Sequence, residues 1–274
     1  MTNGCDLSHH NATPVSFAAW GFAFLRVSYG LTVDESAERH AARARGTNPA
    51  IILGAYHYLE GQDGAAQADL LLTREAILGG EMMLGVDVED LPDHEPWPRT
   101  RYAHLLLDFA RRVRASSRVL FVYGSFAFLQ ELFEAAPMTM REVAAITLLW
   151  LADWTAPYPP AQPWERVAIL QDHGAKPGGI DHDVFAGSPD ELRELAGLTE
   201  LHSREAKHAL LKRDSAGPEV RELQRNLNRW GAALAIDGLF GPKTDAAVRR
   251  FQGDHDLKVD GIVGPATWRA LLSG

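Results

Sequence analysis

Eight short apolar runs, each bounded by Gly, Pro, Asp or Asn, recur through the first two thirds of the chain. They are Gly4–Leu7, Phe22–Tyr29, Ala50–Tyr58, Glu81–Glu89, Arg118–Gly124, Ile146–Trp154, Val167–Gln171 and Gly179–Phe185. Runs of this length, rich in β-branched and aromatic residues, read as strands. Ile51-Ile52-Leu53-Gly54-Ala55 and Val119-Leu120-Phe121-Val122 are apolar at every position, which fits strands covered on both faces. Helical spacing fills the early gaps at Glu35–Arg45, Ala65–Leu78, Arg99–Ser116 and Phe126–Ala135. After Trp150 the connections are short and Pro-rich, as in Pro157-Tyr158-Pro159-Pro160, with little room for full helices. Strands that alternate with helices and then lose them read as an α/β fold, a parallel β/α barrel with a degenerate last third. An open doubly wound sheet is the alternative, but no Gly-x-Gly-x-x-Gly follows the first strand.

Composition narrows the function classes. Net charge is −9, from 27 Lys and Arg against 36 Asp and Glu, which argues against a nucleic-acid partner. From His208 onward the count is 10 against 8, so an acidic body of 17 against 28 precedes a slightly basic tail. That asymmetry suggests two modules. The longest apolar stretch, near Val143–Ala152, is far short of the roughly 18 residues that span a bilayer, so no membrane insertion is expected. One cysteine, Cys5, excludes an internal disulfide and a Cys-cluster zinc site, and it reads as a small buried residue. The first residues carry neither a basic patch nor an apolar core, so no secretory signal is visible.

Polar residues gather at the C-terminal ends of the strand runs, where a β/α barrel carries its chemistry. They are Asp6, Ser28-Tyr29, Tyr56-His57-Tyr58, Asp87 and Glu89, Tyr123, Trp150 with Asp153-Trp154, Gln171-Asp172, and Asp181 with Asp183. Aromatic faces stack on sugar rings, and carboxylates bind hydroxyls and move protons. The sharpest element is Val86-Asp87-Val88-Glu89. Side chains alternate along a strand, so both acids face one way, and their repulsion raises one pKa toward the range a general acid needs. Glycosidic cleavage requires such an acid. Several histidines also lie near strand ends, at His9-His10, His57, His173 and His182. No His-Glu-x-x-His or other spacing fixes three ligands, so no metal and no cofactor is expected. The serine hydrolase elbow is absent.

Residues 3 to about 187 resemble glycoside hydrolase family 25, the Chalaropsis-type lysozymes. The resemblance rests on Gly4-Cys5-Asp6-Leu7-Ser8-His9-His10, Phe24-Leu25-Arg26-Val27-Ser28-Tyr29-Gly30, Gly54-Ala55-Tyr56-His57-Tyr58, Val86-Asp87-Val88-Glu89, Val122-Tyr123-Gly124, Leu149-Trp150-Leu151-Ala152 and Gly179-Ile180-Asp181-His182-Asp183, in that order. It implies an irregular (β/α)5(β)3 barrel that hydrolyses the β-1,4 bond between N-acetylmuramic acid and N-acetylglucosamine. By the same resemblance Glu89 is the general acid and Asp87 orients the substrate or stabilises charge. Asp6 and Asp181 complete the acids, and Tyr56, Tyr58, Tyr123, Trp150 and Gln171 line the sugar cleft. No protein nucleophile is implied, since the substrate's own acetamido group can attack with Asp87 holding it. The chain departs from the family at Asp172, where an aromatic residue is frequent, and at Asp183, where Asn is common.

The tail holds an internal repeat. Asp237-Gly238-Leu239-Phe240-Gly241-Pro242-Lys243-Thr244 recurs 23 residues later as Asp260-Gly261-Ile262-Val263-Gly264-Pro265-Ala266-Thr267. Each copy reads as a Gly turn followed by a helix start. The helices are Pro218–Trp230, Thr244–Phe251 and Pro265–Leu272, a small three-helix bundle. With Gly217-Pro218-Glu219-Val220-Arg221-Glu222-Leu223-Gln224, this segment resembles the peptidoglycan-binding domain type 1, which implies a cell-wall anchor. Expected boundaries are 1–190 for the barrel, 191–207 for a helical linker with Ser188 and Glu191 as a capping box, and 208–274 for the tail. The whole reads as a monomeric cell-wall lytic muramidase acting on bacterial peptidoglycan, resembling a phage endolysin made in the cytosol and released at lysis, or else an extracellular enzyme. A catalytically inert glycan-binding barrel with the same anchor is the rival. A peptidase or amidase lacks a convincing metal or Cys/His arrangement.

Overall fold

In the computed structural model, strand pairing closes the main sheet on itself. All residues are described except 15, 91–96, 154–159, 174–179, 199–209, 256 and 273–274. The strands are β1 (Thr2–Leu7), β2 (Phe22–Tyr29), β3 (Thr32–Val33), β4 (Ile52–Tyr58), β5 (Met83–Asp87), β6 (Leu120–Ser125), β7 (Leu148–Ala152), β8 (Val167–His173) and β9 (Asp181–Phe185). Their order is β1-β9-β8-β7-β6-β5-β4-β2-β3, and β1 also pairs with β2, so eight strands form a barrel and β3 hangs on its rim. The helices of this unit are α1 (Ser36–Thr47), α2 (Gly64–Ile77), α3 (Arg99–Ala115), α4 (Phe126–Ala135), α5 (Pro137–Ile146) and α6 (Pro189–Leu195).

Seven barrel strands run parallel, but β9 is antiparallel to both β8 and β1. The expected irregular barrel is present, parallel through seven strands, with the departure in its degenerate last third. Only residues 174–180 join β8 to β9, too few for the dozen or more that a parallel crossover needs. Two further elements were not anticipated. The β3 strand follows a turn at Gly30, whose φ of +50° suits glycine. The α5 helix starts on Pro137, and its last turn runs into the apolar stretch Val143–Ala152. Helix and strand share that stretch, so apolarity alone does not show the break at Thr147.

Alternation along the strands sorts side chains into two layers. Ala23, Leu25 and Val27 of β2, Leu53 and Ala55 of β4, and Leu84 and Val86 of β5 face the helices and build one large core. The intervening residues fill the barrel. There Phe24 stacks on Trp150 at 4.2 Å and meets Phe121 edge-on at 6.0 Å. A Cβ at Gly54 would lie 2.3 Å from the Phe24 ring, so glycine in β4 is what admits so large a neighbour. Cys5 is buried.

Contacts divide the chain into Met1–Leu198 and Thr199–Gly274. Ser188 caps α6, and the reciprocal Ser188–Glu191 bonds are both present. The rest of the expected linker, from 199 to 207, lies outside the described residues. In the second unit α7 (Pro218–Arg229), α8 (Pro242–Asp254) and α9 (Pro265–Leu272) surround Val220, Leu223, Leu227, Phe240, Val248, Phe251 and Trp268. The repeat is visible as hydrogen bonding. The Gln224 amide donates to Asp237 Oδ1 (2.7 Å) and Leu239 O (3.1 Å), while its oxygen accepts from Gly238 N (2.9 Å). Gln252 does the same for Asp260 (3.2 Å), Ile262 O (3.0 Å) and Gly261 N (2.9 Å). Gly238 and Gly261 have φ of +79° and +72°, so both turns need glycine.

Candidate active site

The barrel mouth opens into a cleft of about 520 Å³, and all nine residues expected from the sequence border it: Asp6, Tyr56, Tyr58, Asp87, Glu89, Tyr123, Trp150, Gln171 and Asp181. Asp6 sits near the end of β1, Asp87 ends β5, and Glu89 follows two residues on. Asp181 meets the same mouth because β9 runs backwards and presents its first residue there, opposite Asp6. Expected Trp154 lies outside the described residues.

Asp87 is buried, and its Oδ1 has no hydrogen-bond partner among the described residues. Burial, then the charges of Glu89 and Asp6, hold its carboxyl well above the usual range, with Arg26 opposing. Glu89 reaches solvent at the cleft edge. Loss of water within the cleft walls still raises its pKa, and Asp181 and Asp90 add to the effect against the pull of Arg26. Its backbone is secured from beneath. The buried Tyr102 hydroxyl donates to Leu59 O (2.6 Å) and lies 3.2 Å from Glu89 O, and Arg99 grips Asp90 through both carboxylate oxygens (2.6 Å each).

Asp6 accepts from Gln171 Nε2 (2.8 Å), and Tyr123 OH donates to Gln171 Oε1 (2.9 Å). Burial and the facing Asp181 push Asp6 up to about 7 despite the Gln171 bond. Deeper still, Asp183 is fully buried. Its Oδ1 accepts from Trp150 Nε1 (2.8 Å), while Oδ2 has no partner among the described residues. Burial and the Asp6 charge raise it well above the usual range. Carboxyls this crowded cannot all be ionised, so the site holds protons near neutral pH.

Trp150 is 1% exposed, with Phe24 across its face and Tyr123 edge-on at 4.8 Å. It borders the cleft as part of its floor and holds Asp183 from there. His57 points the other way, into the helix layer. Its Nε2 donates to Gln67 Oε1 (2.9 Å), Nδ1 accepts from Ser28 (2.8 Å), and burial lowers its pKa to about 4.

Sequence reasoning missed Arg26 and Glu60. Arg26 is the one Lys or Arg among the described residues lining the cleft. It contacts His9 and donates Nε to Asp34 Oδ2 (3.0 Å), itself held down to about 2 against the cost of burial by bonds from Ser36 and Arg26. The available signal was a lone cation inside the apolar run Phe24-Leu25-Arg26-Val27. Glu60, just beyond β4, carried no such signal.

The geometry defines a closed eight-stranded barrel with a carboxylate-rich cleft, and known structures share this fold. A bacterial lysozyme from Streptomyces coelicolor superposes with a TM-score of 0.58 at 23% identity, over 72% of this chain and 98% of that one. A family GH25 lysozyme from Aspergillus fumigatus gives 0.56 at 20% identity, over 71% and 98%. Residues 216–271 match the family model described as "Putative peptidoglycan binding domain". A zinc D-Ala-D-Ala carboxypeptidase from Streptomyces albus G is 50% identical over 64 residues, 22% of this chain. The chain spans a quarter of that relative's length. The barrel therefore has the lysozyme fold of family GH25, and the tail resembles a wall-binding module.

Proposed function

We propose that the protein is a cell-wall muramidase that cleaves the β-1,4 bond following N-acetylmuramic acid in bacterial peptidoglycan. The observation that carries this reading is the buried Asp87 oxygen, without a hydrogen-bond partner among the described residues, two residues before Glu89, whose pKa is raised, in one cleft. Glu89 enters protonated and gives its proton to the glycosidic oxygen as the bond breaks. Asp87 Oδ1 accepts the N–H of the substrate's 2-acetamido group, which gives that oxygen its missing partner and favours the ionised form. The acetamido oxygen, aimed by this bond, attacks the anomeric carbon. A water activated by Glu89, now a base, then opens the cyclic intermediate. Tyr56, Tyr58, Tyr123 and Gln171 shape the cleft walls, and Asp6 and Asp181 complete its acids.

The tail tethers the barrel to its substrate and so raises the local glycan concentration. A groove in the tail is bordered by Trp230, Lys243, His255 and the Arg250–Asp254 pair, and Trp230, 43% exposed there, offers a face to a glycan. The site of action is the bacterial wall. Among the described residues no helix is long and apolar enough to cross a membrane.

Purified peptidoglycan digested by the protein, reduced with borohydride and then hydrolysed, tests the reading. Muramitol is expected from the wild type and none from Glu89→Gln. Glucosaminitol would show that the bond is the other one. New amino groups without reducing ends would mean an amidase or peptidase, and wall binding without new ends an inert binder.

A further inference from the structure

Asp172 and the histidines near it play no part in the proposed reaction, yet the sheet register gathers them. In the antiparallel pair β8–β9, Gln171 stands opposite Asp183, and the next pair is His173 opposite His182. Asp172 is the extra residue, a bulge in which two residues on β8 face one on β9. Without it, His173 would lie on the same face as Gln171, toward the cleft. The bulge instead turns His173 to the side of His182, with Asp172 between them. Asp172 Oδ1 accepts from His182 Nδ1 (2.6 Å) and from His173 Nδ1 (2.9 Å). A possible ligand atom from each of the three residues lies within 4.8 Å of the other two.

We propose that Asp172, His173 and His182 form a binding site for a divalent transition cation of the zinc type on the outside of the β8–β9 hairpin. Two imidazoles and one carboxylate are a donor set that suits zinc, with room for a water as the fourth ligand. The three residues already lie close enough to share one ion, with ligand atoms within 4.8 Å of one another. Zinc lies about 2.0–2.1 Å from such ligands, which spaces tetrahedral ligand atoms roughly 3.3 Å apart. The His–carboxylate separations widen by less than an ångström to reach this. Bulges re-aim side chains next to active sites, and here the bulge leaves Gln171 and Asp183 inside while sending the donors outside. The bound cation would pin together the two strands that carry Gln171 and Asp181 to the cleft. The His173 side chain is 77% exposed, so ions reach the site freely. Linear spacing hid this arrangement, because a bulge and a hairpin register are not visible as a motif.

The test is binding to the full chain, free of any assay of turnover. Zinc titrated calorimetrically into chelator-treated protein is expected to bind one ion per chain, and cobalt to give the visible absorption of a tetrahedral site. His173→Ala, at an exposed position that folding does not need, and Asp172→Asn are each expected to weaken zinc binding at least about tenfold. Zinc should raise the melting temperature of the wild type and not of His173→Ala. Wild-type affinity in both variants overturns the proposal, as does loss of binding only in His10→Ala, which would assign the ion to the His9-His10 pair. Absence of zinc binding by the wild type overturns it as well.

Discussion

The buried carboxyls of the barrel site and the buried glutamines of the tail are treated in opposite ways. In the tail, Gln224 and Gln252 are each almost fully buried and use both ends of the amide, tying down an Asp-Gly turn through side-chain and backbone partners. In the barrel, Asp87 and Asp183 are as deeply placed, yet each leaves one oxygen without a partner among the described residues. An unsatisfied buried acceptor costs about 1–3 kcal/mol, and more if charged. The tail therefore uses polar burial to specify its fold, whereas the barrel carries it as a cost, and of the two acids only Asp87 borders the cleft, where the proposed substrate would relieve it.

The largest test of this contrast is Glu89→Gln. It removes the transferable proton but keeps shape, so turnover is expected to fall about 10²–10⁴-fold, measured as reducing ends released, with the melting temperature unchanged. In the tail the outcome reverses. Gln252→Ala strands the Gly261 N–H and a set of acceptors, and is expected to cost about 1–3 kcal/mol in urea unfolding of the tail. Sedimentation with cell walls weakens accordingly, while turnover on a soluble glycan stays at the wild-type level. The smallest effect is expected of Asp183→Asn, which keeps an acceptor for Trp150 Nε1 and removes an acid whose ionised form is penalised by burial and by Asp6. It should raise the melting temperature by about 2–4 °C at pH 8, if the relief is worth about 1 kcal/mol, and by less at pH 5.

The pH dependence of wild-type stability follows from the same carboxyls. Folding raises Asp6 from 3.8 to about 7, so between these values the folded chain binds more protons than the unfolded one. The contribution of Asp6 is present in full below about pH 4 and is lost as pH rises through about 7. Thermal melts from pH 5 to pH 8 are expected to show the barrel weakening, whereas a rise in stability across that interval would refute the assignment.

Much of this was legible in the sequence. Ile51-Ile52-Leu53-Gly54-Ala55 shows a strand buried on both faces, and alternation puts Asp87 and Glu89 on one side of the next. What stayed hidden depends on partners far along the chain. The reversal of β9 shows in the sequence only as the short connection after β8, yet it brings Asp181 to the mouth opposite Asp6. The burial of Trp150 depends on the space left by Gly85 on another strand and on Phe24, which Gly54 admits, and the outward turn of His57 on Gln67 in a helix. Arg26 stands in an apolar run, but its place in the cleft follows from Asp34, eight residues on.

The most direct test of the account is Asp87→Asn, with turnover on peptidoglycan and thermal stability measured together at pH 7. Turnover is expected to fall about 10²–10³-fold, as when a group aimed at transition-state charge is lost. The melting temperature is expected to rise, because the substitution removes a buried acid crowded by Glu89 and Asp6. Wild-type turnover, or a loss of activity that merely follows a fall in stability, would contradict the claim that Asp87 is left unsatisfied for the substrate.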